Sequence, residues 1–375
     1  MDLEKEKKAV IITRKIKLYI DVPPENKEKK NELYRKLYDW QKIAYKAANI
    51  AATNLYLQDQ VKDLIYLQDD VKIKLADRLK NNDGIFNCSR DNTTYKILSQ
   101  KFKNELPSSI FSAINQSVFK NYISEKSDYF NGIRSLRNYK ANIPIPIRVL
   151  SIYNLRYDPE IKNFRFSLFR DEKYHIPFKT YLGRDRSNNK IIIERCIKQE
   201  YKICDSLLTL KDGDIFLYLV VKIPIETNNL FLNEAKVKLS FMAPLIVIFN
   251  EKEYMFGDKE SYIYKRLAIQ HGLRRRQSIM KYNTGGRGRK NKTKGVEEFK
   301  TKEKNFINTY THQLSYELVK FCLDNKIGRI KLVDIVQTSE DAKEFPFVIR
   351  NWSFGNFRDK LEYKCKKNSI ELLYN

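Results

Sequence analysis

The stretch RKIKLYIDVPP, residues 14–24, alternates: Ile16, Leu18, Ile20 and Val22 face one way, Lys15, Lys17, Tyr19 and Asp21 the other. A period of two marks a half-buried strand, here spanning 10–22, and Pro23-Pro24 stops it. Past the prolines the period lengthens. Leu33, Leu37, Trp40, Ala44, Ala47 and Ala51 step by three and four, one apolar stripe on a long helix. A second helix starts after Pro107, with Ser108 or Ser109 placed to cap it, and carries Phe111, Ile114, Val118 and Tyr122 inward. At IPIPI (143–147) the texture returns to strands. Phe164, Phe166 and Leu168 alternate with polar residues, and Leu207–Leu210 and Ile215–Val221 flank a hairpin turn at Asp212-Gly213. The expectation is that the first strand pairs with this later β block, so that the helical segment is an insertion into a small barrel.

The chain carries 71 Lys and Arg against 46 Asp and Glu, a formal net charge of +25 over 375 residues. Such an excess repels itself unless an anionic partner neutralises it, and phosphate is the natural one. Part of the excess accompanies heavy use of Lys, Ile, Asn and Tyr, the composition of an AT-rich genome. No apolar run is long enough to span a membrane, and MDLEKEKKAV lacks a secretory core, so a cytoplasmic, nucleoid-associated protein without membrane contact is expected. Five scattered cysteines (Cys88, Cys196, Cys204, Cys322, Cys365) form no C-x-x-C pair and read as reduced thiols, with no zinc site. His175, His271 and His312 are too dispersed for a metal centre.

From residue 236 strands and helices alternate: strands at 245–249 and 254–256, a basic helix at about 259–282, and a long helix at about 297–326. A strand at 329–335, a helix at about 354–367 and a strand at 370–374 follow. That pattern predicts an α/β domain. Running from the end of the first of these helices into the start of the second is RRRQSIMKYNTGGRGRKNKTKGVEEFKTKEK (274–304), with twelve basic residues against three glutamates. Arg274, Arg275, Arg276, Lys281, Arg287, Arg289, Lys290, Lys292, Lys294 and Lys304, with Asn305 and His312 beyond them, are the candidate nucleic-acid contacts. Guanidinium forks suit phosphate oxygens, and Gly285, Gly286 and Gly288 let the backbone approach closely. Such a clamp positions a backbone and reads no bases. Trp40 and Trp352 lie on apolar patterns and read as packing residues.

The stretch from Arg274 to Lys320, with GRGRK, KEKNF and TYTHQLSYELV, resembles the TnpB-like nucleases and the miniature type V CRISPR effectors. So do GRIKLVDI (328–335), RNWSFGNFRDKLEYKCKKNSIELLY (350–374) and, further back, YKICDSLLTLKDGDIFLYLVVKIP. The resemblance implies a multidomain α+β chain. A wedge-type β-barrel would take its first strand from 1–25 and the remainder from 143–235, with a helical recognition lobe inserted at 26–142. A truncated RNase H-like (RuvC) domain without a zinc ribbon would occupy 236–375. It also implies a guide RNA as the required partner and double-stranded DNA as target, gripped by duplex shape.

RuvC nucleases hold two Mg²⁺ ions on three carboxylates. In the matching segment KVKLSFMAP (236–244) Lys238 stands at the first aspartate's place, and in IKLVDI (330–335) Val333 stands at the glutamate's. The third ligand would lie beyond Asn375. Glu251, Asp258 and Asp334 are the carboxylates that could substitute, though Asp334 is one residue out of register and so faces the other side of its sheet. The expectation drawn from these places is a C-terminally truncated, nuclease-dead member, not an enzyme, without catalytic Mg²⁺ or Zn²⁺. It would regulate transcription by occlusion, or by recruiting a sigma factor or RNA polymerase. The alternatives are an active endonuclease with a composite site and a guide-RNA-binding remnant that targets no DNA.

Overall fold

The computed structural model describes residues 9–66, 89–185, 187–225, 231–238, 244–282, 289–333 and 354–374. Arg287, Asp334 and Trp352 therefore lie outside the described residues. Contacts divide the chain into Ile11–Ile223 and a second unit of Pro224–Asn375 with Met1–Val10.

In the first unit β1 (Ala9–Ile20) precedes three helices, α1 (Lys27–Tyr66), α2 (Arg90–Phe102) and α3 (Ser108–Phe130). Strands β2 (Ile145–Ile147), β3 (Ile152–Asp158), β4 (Asn163–Leu168) and β5 (Ile176–Tyr181) follow. After them come α4 (Asn189–Ile197), β6 (Lys202–Lys211) and β7 (Asp214–Pro224). These strands form one curled, half-barrel sheet of order β2-β6-β7-β1-β5-β4-β3. β1 sits between β7 and β5, pairing Leu18 with Thr180 and Ile20 with Phe178 antiparallel. The helices are thus threaded between one strand and the rest of its sheet. The β6–β7 turn has Asp212 at φ 53° and Gly213 at φ 84°, the left-handed pair of a two-residue hairpin loop.

Two details depart from the sequence reading. Pro107, not a serine, occupies the N-cap position of α3, and the Ser109 hydroxyl instead meets that of Ser151 at 3.4 Å. A helix, α4, interrupts the block of strands that opens at residue 143.

The helical segment closes on Trp40, Leu37, Leu55, Phe111 and Leu106, all essentially buried. Trp40 meets Phe169 edge-on at 5.5 Å. The same interior holds a charge: Asp59 is fully buried and accepts from Arg90, from Tyr122 Oη at 2.6 Å and from Lys126 Nζ at 2.9 Å. One residue on each of α2 and α3 thereby fixes on one carboxylate of α1, and Lys126 adds a second from α3. In the last turns of α3, Glu125 accepts from Tyr129 and, from the segment beyond the helix, from Arg134 at 2.9 Å and from Arg137. The Arg137 guanidinium beside it holds its carboxyl down at about 2.

In the second unit β8 (Asn233–Lys238), β9 (Leu245–Phe249) and β10 (Lys252–Phe256) form a meander. α5 (Lys259–Tyr282), α6 (Arg289–Asp324), β11 (Ile327–Val333), α7 (Phe354–Lys367) and β12 (Glu371–Tyr374) follow. The sheet order is β10-β9-β8-β11-β12, with β11 parallel to both β8 and β12. Ala235, Val237, Leu245, Val247, Ile330 and Leu332 bury one face beneath Leu314, Leu318 and Cys322 of α6 and Phe357, Leu361 and Cys365 of α7. Cys196, Cys204, Cys322 and Cys365 are free thiols, and burial pushes that of Cys322 up to about 12. No helix among the described residues is long and apolar enough to cross a membrane.

Candidate nucleic-acid interface

The basic segment is a helical hairpin. α6 begins at Arg289, well ahead of the expected 297, because the lysines that open it are adequate helix formers without an apolar stripe to announce them. α5 and α6 run antiparallel, and their contacts climb in step. Tyr262 lies 4.6 Å from the Tyr310 ring and 5.6 Å from that of Phe306. Arg266, 5% exposed, donates to Glu303 at 2.8 Å and to Tyr262 Oη at 3.4 Å. At Gly272 a Cβ would stand 2.5 Å from the Phe299 ring, so only glycine admits this approach. Gly257, at φ +81°, enters α5 where a Cβ would meet Tyr310 Oη at 2.6 Å and Pro244 at 2.8 Å.

That packing decides which cations are inside. Arg266 and Glu303 neutralise each other in the seam. Arg274, Arg275 and Arg276 lie exposed on the last turns of α5, and none has an ion-pair partner among the described residues. Lys304, Asn305 and His312 are exposed on α6. Asn305 and His312 are two turns apart on one face, about 10 Å along the axis. Lys281, Arg289, Lys290, Lys292 and Lys294 occupy the helix ends flanking residues 283–288, and Arg287 falls within that span. Lys265 and Lys302, passed over in the sequence, stand over the rings of Phe306 and Phe299 at 5.3 and 5.0 Å.

The second unit also buries two lysines that no motif announced. Lys360 and Lys364 of α7, 8% and 9% exposed, face α6. The Lys360 ammonium donates to Asn308 O at 3.0 Å and to Thr311 Oγ1 at 2.6 Å. That of Lys364 donates to His312 O at 2.6 Å and to Ser315 Oγ at 2.8 Å. Burial lowers both to about 8, and each lysine lies one turn from the other.

Lys238 and Val333 are register partners on neighbouring parallel strands. Glu251 sits in the tight β9–β10 turn at φ 64°, and Asp258 caps α5, accepting from the Glu260 and Ser261 amides at 2.9 and 3.2 Å. The Asp258 carboxylate is thus committed to the start of α5. Among the described residues no group of three or more His, Cys, Asp or Glu comes together.

The chain matches no family model. Over 267 residues it is 21% identical to the CRISPR-associated endodeoxyribonuclease Cas12f1 of Sulfoacidibacillus thermotolerans, a match covering 68% of this chain. It spans 62% of that curated relative's length. The cryo-EM structure of the Cas12f1–sgRNA–target DNA complex superposes with a TM-score of 0.67 at 14% identity, over 98% of this chain and 89% of that one. A CRISPR–Cas12f ternary complex aligns at a TM-score of 0.39 and 15% identity, over 94% and 75%.

Homology to Cas12f1, a miniature type V effector of TnpB-like kind, is shown by sequence and by fold. Two expectations are corrected. A C-terminally truncated member is not supported, because the fold match extends over 89% of the solved chain. The inference that the chain is no enzyme is overturned, because its curated relative is an endodeoxyribonuclease. That inference leaned on two side chains, Lys238 and Val333, and on a chain end.

Proposed function

From that homology to Cas12f1, we propose that the protein is an RNA-guided DNA-binding effector. A guide RNA pairs with one DNA strand, and the protein holds the resulting duplex by its backbone. In this reading the curled sheet, whose strands lie between Ala9 and Pro224, is the wedge, the helical insertion (26–142) is the recognition lobe, and the five-stranded unit, whose first strand opens at Asn233, is of RuvC type. The observation that carries the reading is the α5–α6 hairpin. Its internal charge is neutralised by the Arg266–Glu303 pair, while three consecutive arginines lie exposed without an ion-pair partner among the described residues. Arginines so placed suit phosphate oxygens and are indifferent to base identity. A complex seated on a promoter excludes polymerase, and occlusion is the use in transcription we propose for it. Recruitment of a sigma factor or RNA polymerase would register as activation in the same reporter.

The test begins by sequencing the RNA that co-purifies and reprogramming it against a chosen duplex. Binding in a gel-shift assay should follow guide complementarity. Changing Arg274, Arg275 and Arg276 together to Ala should weaken every target alike and flatten the salt dependence by up to about 0.9 per lost phosphate contact. DNA binding that ignores the guide sequence, or no DNA binding, would refute the proposal. The same complex supplied with Mg²⁺ reads strand scission directly.

A further inference from the structure

The seam between α6 and α7 encloses two like charges. Lys360 and Lys364 are both nine-tenths buried, one turn apart on the same face of α7. Every group that meets their ammoniums is uncharged. From α6 come Asn308, Thr311, the His312 carbonyl and Ser315, with the Tyr316 ring 5.9 Å from Lys364. On α7 itself Asp359 is exposed and pairs with neither lysine, and burial pushes the Cys365 thiol up, which keeps it neutral. The two lysines are not equally satisfied. An ammonium has three protons to donate. Lys360 places them on Asn308 O at 3.0 Å, Asn308 Oδ1 at 2.5 Å and Thr311 Oγ1 at 2.6 Å. Lys364 meets only His312 O at 2.6 Å and Ser315 Oγ at 2.8 Å among the described residues.

We propose that Lys364 reversibly takes up carbon dioxide as a carbamate, which supplies the carboxylate that the Lys360 ammonium lacks. The lone pair of the neutral amine forms an N–C bond to carbon dioxide, one C=O π pair moves onto oxygen, and the nitrogen releases one proton to water. No electron is gained or lost. The seam passes from two positive charges to one of each sign. The remaining N–H can still donate to His312 O, and the carbamate oxygens accept from Lys360, whose Cβ lies about 5–6 Å away across one turn. Burial, and then the charge of Lys360, lowers Lys364 to about 8, which provides neutral amine where an exposed lysine has almost none. A preformed anion is a poorer occupant. It must shed its water to reach ammoniums this deeply placed, whereas carbon dioxide enters uncharged and acquires charge only once bonded. The proposal uses nothing from the DNA-binding reading.

The full chain is equilibrated at pH 8 with ¹³C-labelled bicarbonate as the source of carbon dioxide, then treated with triethyloxonium, which ethylates carbamates and fixes them for peptide mass spectrometry. At that pH about half of Lys364 is neutral, against roughly one in 300 of an ordinary lysine. The labelled adduct on Lys364 should therefore exceed that on exposed Lys366 by about tenfold or more. Lys364→Arg should abolish the matching carbamate resonance in the ¹³C spectrum. Lys360→Gln should weaken it, and Lys360→Arg should keep it. A second measurement needs no variant. The urea midpoint for trapping Cys322 and Cys365 should rise with dissolved carbon dioxide at constant pH and ionic strength. An unlabelled Lys364, an adduct no greater than that on Lys366, or an unmoved midpoint overturns the proposal. Equal stabilisation by chloride at the same ionic strength also overturns it, by assigning the seam to a plain anion.

Discussion

Lys360 and Lys364 are two ammonium groups buried between α6 and α7, neither with a carboxylate on it among the described residues. For Lys364 the fall from an ordinary 10.5 to about 8 corresponds to roughly 3 kcal/mol against the charged form. Its hydrogen bonds to His312 O and Ser315 Oγ offset part of that, leaving about 1–3 kcal/mol. Lys364→Met keeps the length and removes the charge. Ser315 Oγ still donates to Thr311 O at 2.7 Å, so its hydroxyl is not orphaned. The substitution should therefore stabilise this unit by about 1–3 kcal/mol at pH 7, as replacing buried charges by apolar groups often does. The pH dependence follows from the sign. The folded-state value lies below the unfolded one, so between about pH 8 and 10.5 the unfolded chain binds more protons and stability rises with pH. Below pH 8 the penalty is complete; above 10.5 it is gone, and with it the variant's advantage. Cys322 and Cys365, buried in the same core, report opening of this unit alone when trapped with a thiol reagent across a urea series. A variant less stable than wild type at pH 7, or a gain of equal size at pH 7 and 10.5, would refute the reasoning.

Asp59→Ala leaves Arg90 and Lys126 without their buried partner and should cost about 3–5 kcal/mol, read by circular dichroism in urea. Glu125→Gln should matter only away from acid. The wild-type carboxyl is held near 2, so its contribution is complete above about 4.5 and fades as pH falls toward 2. Limited proteolysis of the 131–137 segment should therefore speed up for E125Q at pH 7 and converge with wild type near pH 2. Gly272→Ala should destabilise the α5–α6 hairpin by about 1–3 kcal/mol, and Phe299→Leu in the same chain should restore much of it.

What the sequence showed was whatever rests on periodicity. The alternation in β1, the stripe through Leu37 and Trp40, the Asp212-Gly213 turn and helix α7 follow from side-chain spacing alone. The start of α6 does not, because the lysines and asparagine after Arg289 have helical propensity but no apolar rhythm. α4 was hidden by three consecutive isoleucines, which favour strands until tertiary packing on Ile192, Ile193 and Cys196 decides otherwise. The site was legible as a charge run and illegible in its sorting. Nothing in RRR distinguishes it from Arg266 until the seam with Glu303 exists. Lys360 and Lys364 sit on the same stripe as Phe357 and Leu361, yet the ordinary preference of lysine for water argues against reading them as buried. Asp59 and Arg90 are far apart in sequence and meet only through the fold.

The structure also bears on whether the excess charge is only composition. Compositional drift scatters lysines without regard to partners. Here Arg90, Arg134, Arg137, Arg148, Arg165, Arg266 and Arg329 each meet a carboxylate. Three consecutive arginines at the end of α5 meet none among the described residues, and neither do Lys236 and Lys238 on β8. On the sheet Glu234 is committed to Lys331 and Glu371 to Arg329, and in the helical seam Glu303 is committed to Arg266. Cations that meet no carboxylate among the described residues keep the repulsion among them undiminished. At the arginines an anion supplied from outside relieves it, and binding there weakens with added salt in proportion to the number of phosphates engaged.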